Sequence, residues 1–225
     1  MSVTAAVAAV RNGNVEDLQS LLTHDPALAR ARVDGSRTLL HVATDWPGHF
    51  PNNTVTVSTL IAHGADLNAP FVGNHAETPL HWATSCDDVD AIDVLLDHGA
   101  DIEATGAVIG GGTALADAVA FGQWRAARRL VDRGAKATLW QAAALGLLGR
   151  VEEHFAPGAA PASAEEITNA FWCACHGGQR VAAEYLLDRG ANLQWVGYDG
   201  LTPLEAARRS GAGELVTWLE RISNG

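Results

Sequence analysis

The side chains of this sequence with the most obvious capacity for chemistry are its three cysteines and nine histidines. Cys173, Cys175 and His176 lie within four residues of one another and resemble a cluster of metal ligands. On a helix, Cys173 and His176 share a face as i and i+3 neighbours, whereas Cys175 points elsewhere. No second Cys/His pair follows at zinc-finger spacing. The sequence therefore predicts no metal site, and it indicates no cofactor.

Motifs that carry catalysis are missing from the sequence. It contains no G-x-S-x-G, no H-E-x-x-H and no phosphate-binding P-loop. Gly110, Gly111 and Gly112 are not followed by Lys-Ser/Thr, so they indicate a flexible loop tip. A non-catalytic protein is therefore expected rather than an enzyme.

Composition narrows the possible partners. The formal net charge is −11, which argues against a nucleic-acid surface because phosphates would be repelled. Three cysteines give no disulfide framework, which is typical of a reducing compartment. The first residues, MSVTAAVAAVRNGNVEDL, have neither the length of a membrane span nor the order of a signal peptide. We expect a cytoplasmic protein that binds neither membrane nor nucleic acid.

A recurring cassette must position whatever site the chain carries. Residues 78–101 read TPLHWATSCDDVDAIDVLLDHGAD, and partial copies begin at residues 38–43 (TLLHVA) and 202–207 (TPLEAA). Repetition at a fixed period indicates a stack of similar small units. The glycine of the Gly-Ala pair recurs every 35 residues, at Gly64, Gly99 and Gly134.

The cassette is similar to the ankyrin repeat, whose signature is T-P-L-H-x-A and whose period is about 33 residues. The similarity covers nearly the whole chain. The sequence resembles stand-alone, bacterial-type ankyrin-repeat proteins. This resemblance implies an all-α solenoid of about seven helix-turn-helix units with extended finger loops, forming one domain over residues 1–225. The units are expected at about 3–33, 34–70, 71–105, 106–136, 137–164, 165–196 and 197–225.

Helix boundaries can be predicted from capping residues. Thr78 is a plausible N-cap, and Pro79 suits the first helical position, where no backbone donor is needed. Gly99 predicts a left-handed helix end. Ser163 and Glu166 form a capping-box pattern that predicts the start of the sixth unit.

The signature histidines, His41 and His81, are expected from the resemblance to hydrogen-bond between neighbouring repeats. Trp140 and Trp172 occupy this position in units five and six. The finger before Leu139 is nearly absent, so these indoles are predicted to fill the space that it leaves.

The resemblance also implies which side chains face the concave groove. The residue after the signature histidine faces it, and here this series includes Trp82, Asp117 and Gln141. A carboxylate beside an indole can have a raised pKa and act as a general base. Asp117 is therefore the one catalytic candidate.

A second position bordering the groove departs from the family's usual polar residue. It reads Trp46, Cys86, Phe121 and Leu145 in successive units. Exposed apolar rows mark binding sites. Alternatively, the insertion at residues 46–53 folds over the row and buries it as additional core. Both interpretations stay open.

The insertion, WPGHFPNN, is the strongest local departure from the repeat. It carries Trp46, His49 and Phe50 between the two helices of the second unit. Stiff aromatic loops make good contact surfaces, because they lose little side-chain entropy on binding. The alternative is a loop that merely caps the second unit.

Two functional hypotheses follow. The first is a protein-binding module that uses finger residues Arg37, His75 and Glu77 together with the groove. The second is a small-molecule binder or atypical enzyme with an enclosed pocket. An open groove favours the first, and an insertion folded over a cavity favours the second. The pocket would be lined by Trp46, His49, Phe50, Trp82, Cys86, Asp117 and Phe121.

Overall fold

The computed structural model describes residues 3–223, which form 14 α-helices and one short hairpin. The N-terminal helices are α1 (Val3–Asn12), α2 (Val15–His24), α3 (Leu39–Ala43), α4 (Asn53–Ala62), α5 (Pro79–Ser85), α6 (Val89–Asp97), α7 (Ala114–Ala120) and α8 (Trp124–Asp132). The remaining helices are α9 (Leu139–Leu145), α10 (Leu148–Glu153), α11 (Ala164–His176), α12 (Arg180–Leu187), α13 (Pro203–Arg209) and α14 (Gly213–Ser223). A 3₁₀ turn, Pro26–Arg30, precedes strands β1 (Arg32–Val33) and β2 (Arg37–Thr38).

The helices group into two compact units, here called the N-terminal unit (up to Ala135) and the C-terminal unit (from Lys136). In the N-terminal unit, α1, α3, α5 and α7 pack in sequence as an inner layer, and α2, α4, α6 and α8 form an outer layer. In the C-terminal unit, α11 packs between α9 and α13, while α10 packs against α12. The all-α repeat fold is confirmed, and the assignment of residues 1–225 to one domain stays a prediction.

The helix ends follow the capping residues of the sequence. Thr78 is the N-cap of α5, and Pro79 is its first residue. Ser163 and Glu166 form a reciprocal capping box at the start of α11. Gly99 has φ 91°, a conformation that glycine adopts without a Cβ clash. These local predictions are confirmed.

Each unit buries the recurring aliphatic positions. In the N-terminal unit, Leu80 of α5 packs inward with Ile92 and Leu95 of α6, and all three are at most 1% exposed. In the C-terminal unit, Phe171 occupies the position equivalent to Leu80 and is fully buried. Burying a large apolar side chain stabilises by roughly 1.5–3 kcal/mol, so these positions supply much of the folding free energy.

Candidate functional site

Two histidines bind successive fingers of the N-terminal unit to one another. Nδ1 of His41 accepts a hydrogen bond from the backbone N–H of Thr38, and its Nε2 donates to the carbonyl of Glu77 at 3.0 Å. His81 repeats this arrangement with Thr78 N–H at 3.1 Å and the carbonyl of Gly112 at 3.4 Å. The expected contact between neighbouring repeats is therefore present at both positions.

These bonds require neutral imidazoles. Burial lowers the pKa of His41 to about 4, although the hydrogen bond to the Glu77 carbonyl opposes that shift. Burial likewise lowers the pKa of His81, opposed by the bond to Gly112. Both rings are therefore uncharged at neutral pH and serve as fixed connectors rather than as acid–base groups.

Aromatic rings form a cluster at the base of the third finger. Phe71 stacks on His75 with ring centroids 4.5 Å apart, and it lies 5.7 Å from the ring of Trp82. Trp82 also meets His41 edge-on at 4.9 Å. Because the rings belong to different parts of the repeat, this packing holds the finger against α3 and α5.

Glu77 carries the polar centre of this cluster. Its Oε2 accepts a hydrogen bond from the indole Nε1–H of Trp82 at 3.1 Å. Nδ1 of His75 lies 2.8 Å from the same oxygen. Glu77 is only 5% exposed, so the hydrogen bond from Trp82 replaces one from water at its carboxyl group.

Asp117 of α7 faces the same centre and is fully buried. Burial, followed by the nearby carboxyl group of Glu77, raises the pKa of Asp117 to about 8. Its Oδ1 accepts the backbone N–H of Ile109 at 3.3 Å, whereas Oδ2 has no partner of ordinary hydrogen-bond geometry. Asp117 therefore carries a proton at neutral pH and meets Glu77 as an acid facing a carboxylate.

The raised pKa of Asp117 matches the sequence-based expectation, but its cause does not. The indole of Trp82 donates its hydrogen bond to Glu77 and not to Asp117. The pKa of Asp117 is raised by burial and by the neighbouring Glu77. Full burial also keeps its oxygens from solvent, where a general base would meet a substrate. The cluster is suited to fixing two fingers, with no geometry that assigns catalysis to Asp117.

Apolar side chains are exposed around this buried cluster. Val72 of the third finger is 54% exposed, and Val108 and Ile109 of the fourth are 55% and 37% exposed. Phe121, at the opposite end of α7, is 48% exposed. Hydrogen bonds join the fingers, including Ala76 N–H to the Gly106 carbonyl at 3.1 Å. The groove of the N-terminal unit therefore has apolar margins on a rigid frame.

The insertion lies along the turns between helices, away from the aromatic cluster. The side-chain amide of Asn52 donates to the carbonyl of Gly13 at 2.9 Å, and the backbone N–H of His49 donates to Asp88 at 2.8 Å. Trp46 is 81% exposed. The loop thus connects the turns of the first and third helix pairs.

This course gives the enclosed-pocket hypothesis no support. Trp46 does not enter a core, because its side chain is 81% exposed. Two clefts of the structure, one bounded by Arg180 and Trp218 and one by Arg30 and Arg32, include none of the residues expected to line that pocket. The expectation that the loop buries the apolar row is wrong for Trp46.

The other predicted site residues are dispersed. Arg37 forms an ion pair with Asp45 at 2.8 Å, so this finger cation is already engaged within the chain. Cys86 is half-buried, with its Sγ 3.5 Å from the carbonyl of Thr44. Phe50 is half-buried in the insertion. Gln141 belongs to the C-terminal unit, where its side-chain oxygen accepts the backbone N–H of Thr138 as a helix cap.

The thiols are poor nucleophiles and poor metal ligands. Burial raises the pKa of Cys86 to about 11 and that of Cys173 to about 12, and it raises that of Cys175 further. In residues 3–223, no three His, Cys, Asp or Glu side chains converge as metal ligands. The helices of the same residues include none that is both long and apolar enough to cross a bilayer. The cytoplasmic location stays a prediction.

A tryptophan performs the histidine's role in the C-terminal unit. The indole Nε1–H of Trp172 donates to the carbonyl of Leu201 at 2.8 Å, which joins α11 to the next finger. The prediction that this indole merely fills space is therefore incomplete. Trp140, at the same position one unit earlier, is partly buried against the core without such a bond among the described residues.

Comparisons with known proteins agree with this geometry. A family model for ankyrin repeats, in three copies, matches residues 71–140. The crystal structure of the human ASB11 ankyrin repeat domain matches with a TM-score of 0.56 and 19% sequence identity, covering 95% of this chain and 96% of that one. Residues 71–140 are ankyrin repeats, and the fold of the chain is that of an ankyrin repeat domain. No curated protein gives a significant sequence match.

Several residues that shape the site lie outside the repeat signature. Phe71, Val108 and Ile109 belong to fingers, where the sequence is irregular and no periodicity predicts burial or exposure. Their apolar character between turn-forming residues is the one feature of the sequence that could indicate a contact surface. His75 and Glu77 were predicted as finger residues, and Trp82 and Asp117 as groove residues. All four lie in one cluster.

Proposed function

We propose that this protein binds a protein partner through the groove and fingers of its N-terminal unit. Ankyrin repeats generally serve as protein-interaction modules, and the fold is of that kind. The observation that carries the proposal is the exposure of Val72, Val108, Ile109 and Phe121 around a rigid, buried polar centre. Exposed apolar side chains on a preorganised frame favour association, because little entropy is lost on binding.

The proposed contact surface has a defined composition. Val72, Val108 and Ile109 supply apolar contact from the fingers, and Phe121 supplies it from the end of α7. Half-buried Trp82 forms part of the floor between them. His75 borders the floor with a side chain 24% exposed. A partner segment that is apolar at its centre suits this surface, since charged residues are depleted at interface cores.

The enclosed-pocket alternative is not retained, since no observation favours it. His49 and Trp46 of the insertion are exposed beyond the aromatic cluster. They remain available as a separate contact on the turn edge, which a partner spanning both edges would touch.

Substitution at an exposed margin tests the proposal without damage to the core. Val108→Glu places a charge at the fourth finger, where the wild-type side chain is 55% exposed. Val55→Glu is the matched control, because Val55 is 52% exposed on the outer helix α4. Affinity capture from the native cell, with quantitative mass spectrometry, is expected to recover the same partners with wild type and Val55→Glu.

The same partners should be depleted at least about tenfold with Val108→Glu, as expected when a charge replaces an apolar group at an interface core. Equal recovery by Val108→Glu and Val55→Glu would contradict the proposed surface.

A further inference from the structure

Two arginines border one open cleft of the N-terminal unit. The cleft has a volume of about 460 Å³ and lies between the β1–β2 hairpin and the residues that follow α4. Arg30 is exposed and Arg32 is half-buried at its wall. Its other lining residues include Thr38, Gly64, Ala65 and Asp66. It is separate from the aromatic cluster and from the groove surface proposed above.

Main-chain carbonyls hold both guanidinium groups in place. Nε of Arg30 donates to the carbonyl of Gly64 at 2.8 Å. Nη1 of Arg32 donates to the carbonyl of Pro70 at 2.9 Å and also to that of Ser36. Carbonyls fix the geometry without cancelling the charge, and they leave Nη1 and Nη2 of Arg30 and Nε and Nη2 of Arg32 as open donors.

These charges differ from those of the other arginines in the N-terminal unit. Four of the others form ion pairs with carboxylates, whereas no carboxylate oxygen in residues 3–223 lies within 4.0 Å of Arg30 or Arg32. Arg125 and Arg128 also lack such a partner, but they are exposed on α8 and line neither cavity. The ion-paired arginines are Arg11, Arg37, Arg129 and Arg133.

The acidity of the unit makes this pair unusual. Residues 1–135 carry 16 acidic and 8 basic side chains, a net charge of −8, and yet two guanidiniums lining one cleft form no ion pair among the described residues, although Asp66 also lines that cleft. Planar guanidinium groups match the oxygens of phosphate and carboxylate, and a cleft of this volume admits a small molecule. We propose that the cleft between Arg30 and Arg32 binds the phosphate or carboxylate group of a small ligand.

Titration with simple anions tests this site directly. The full chain is titrated with inorganic phosphate, and separately with acetate, at constant ionic strength while the arginine Nε–Hε resonances are followed by NMR. Saturable shifts are expected for Arg30 and Arg32, whereas Arg125 and Arg128 should not move. A stronger response to phosphate identifies a phosphate ligand, and a stronger response to acetate identifies a carboxylate. Shifts that are absent, or equal at all four arginines, would overturn the proposal.

Two variants alter the cleft while both arginines stay in place. Ala65→Glu adds a carboxylate to the lining and is expected to weaken binding of the preferred anion at least about tenfold, as for a lost charged hydrogen bond. Asp66→Asn removes the carboxylate of the lining. It should strengthen anion binding about two- to fivefold, since one repulsive charge disappears near the site. Asn retains the oxygen that accepts the backbone N–H of Asn68.

The double variant Arg125→Gln/Arg128→Gln is the matched control, because it removes two exposed charges away from the cleft. Its affinity for the anion should stay within about twofold of wild type, as expected for distant screened charges. Thermal unfolding by circular dichroism checks that every variant is folded. Unchanged affinity in folded Ala65→Glu and Asp66→Asn, or a loss in the α8 variant as large as in Ala65→Glu, would refute the site.

Discussion

The two units make the same connection between repeats with different side chains. In the N-terminal unit, His41 and His81 donate through Nε2 to carbonyls of the next finger. In the C-terminal unit, Trp172 makes the equivalent bond through its indole N–H to Leu201. An imidazole can gain a proton and lose its capping role, whereas an indole cannot titrate. The connection therefore needs a side-chain donor at this position, and an indole can supply it as well as an imidazole.

The units also differ in their buried charge. The N-terminal unit has a net charge of −8 and buries the Asp117–Glu77 pair, whereas residues 136–225 carry 10 acidic and 7 basic side chains, a net charge of −3. The buried core of the C-terminal unit consists of apolar residues and Cys175 around Phe171. We therefore expect the free energy of unfolding of the N-terminal unit to depend on pH through its buried titratable groups, and that of the C-terminal unit to depend on apolar packing.

The largest expected effect is on packing in the C-terminal unit. Phe171→Ala removes a fully buried ring from the centre of the core. We expect a loss of about 3–5 kcal/mol in the free energy of unfolding, measured by urea denaturation, because a cavity is left.

The control is Phe121→Ala, since Phe121 is 48% exposed. It should cost less than about 1 kcal/mol, as substitutions near the surface usually do. Equal losses from the two variants would contradict the packing assigned to Phe171.

The next effect is the pH dependence of the N-terminal unit. The folded pKa of Asp117, about 8, lies above its unfolded value near 4, so the folded state retains a proton that the unfolded state has lost. Stability should therefore fall as pH rises through this window, by about 1.5 kcal/mol between pH 6.5 and pH 8. Asp117→Asn keeps an oxygen for Ile109 and should abolish this decline.

Urea denaturation at pH 6.5, 7.25 and 8 checks this expectation. The measurements start at pH 6.5 because His41 also makes stability depend on pH below that value. Its pKa is about 4 in the folded state, so the fold loses stability as pH falls from 6.5 to about 4. Asp132→Asn, an exposed carboxyl on α8, is the control and should keep the wild-type decline. A decline of wild-type size in Asp117→Asn would show that Asp117 is not its source.

A smaller effect is expected at the tryptophan connector. Trp172→Phe retains a ring but removes the N–H that binds the Leu201 carbonyl. The expected cost is about 1–2 kcal/mol, from the unpaired carbonyl, and it should not change between pH 6.5 and pH 8. Trp140→Phe controls for ring size, because Trp140 makes no such bond in the described residues. Equal costs at the two positions would show that the hydrogen bond of Trp172 to Leu201 contributes nothing beyond the packing of the ring.

The smallest effects concern the surface ion pairs of the two units. Arg133 contacts Asp93 at 2.9 Å and Asp97 at 2.6 Å in the N-terminal unit, and Arg208 contacts Glu220 at 2.7 Å in the C-terminal unit. Arg133→Gln and Arg208→Gln should each cost under about 1 kcal/mol, because ion pairs in contact with water are screened. Both costs, measured by urea denaturation, should be smaller in 0.5 M NaCl than in 0.05 M NaCl, because salt screens the charges. A loss above about 2 kcal/mol in either variant would show that its pair is not a screened surface contact.

The repeated fold could be predicted because its local signals agree. Thr78, Pro79 and Gly99 each specify one helix boundary through backbone chemistry, and the cassette repeats those signals at a nearly constant spacing. Agreement between capping, periodicity and helix packing leaves few alternatives. Aligning the same cassettes predicted that Asp117 faces the groove, whereas its side chain is fully buried beneath the fingers.

The contacts of the site could not be predicted in the same way. Glu77 attracts both Trp82 and His75 because a finger folds back onto α5, and fingers have no periodicity that specifies their path. The course of the insertion likewise depends on hydrogen bonds from Asn52 to Gly13 and from His49 to Asp88, each between residues 39 positions apart in the chain. Tertiary contacts of irregular loops are not encoded in local pattern.

The most direct test of the binding surface is site-specific photo-crosslinking. A photoreactive phenylalanine analogue replaces Val108 in one variant and Val55 in another, since both side chains are more than half exposed. After irradiation in the native cell, the account predicts discrete crosslinked protein adducts at position 108, with none of the same adducts at position 55. The same adducts at both positions, or adducts at position 55 alone, would contradict binding through the groove and fingers of the N-terminal unit.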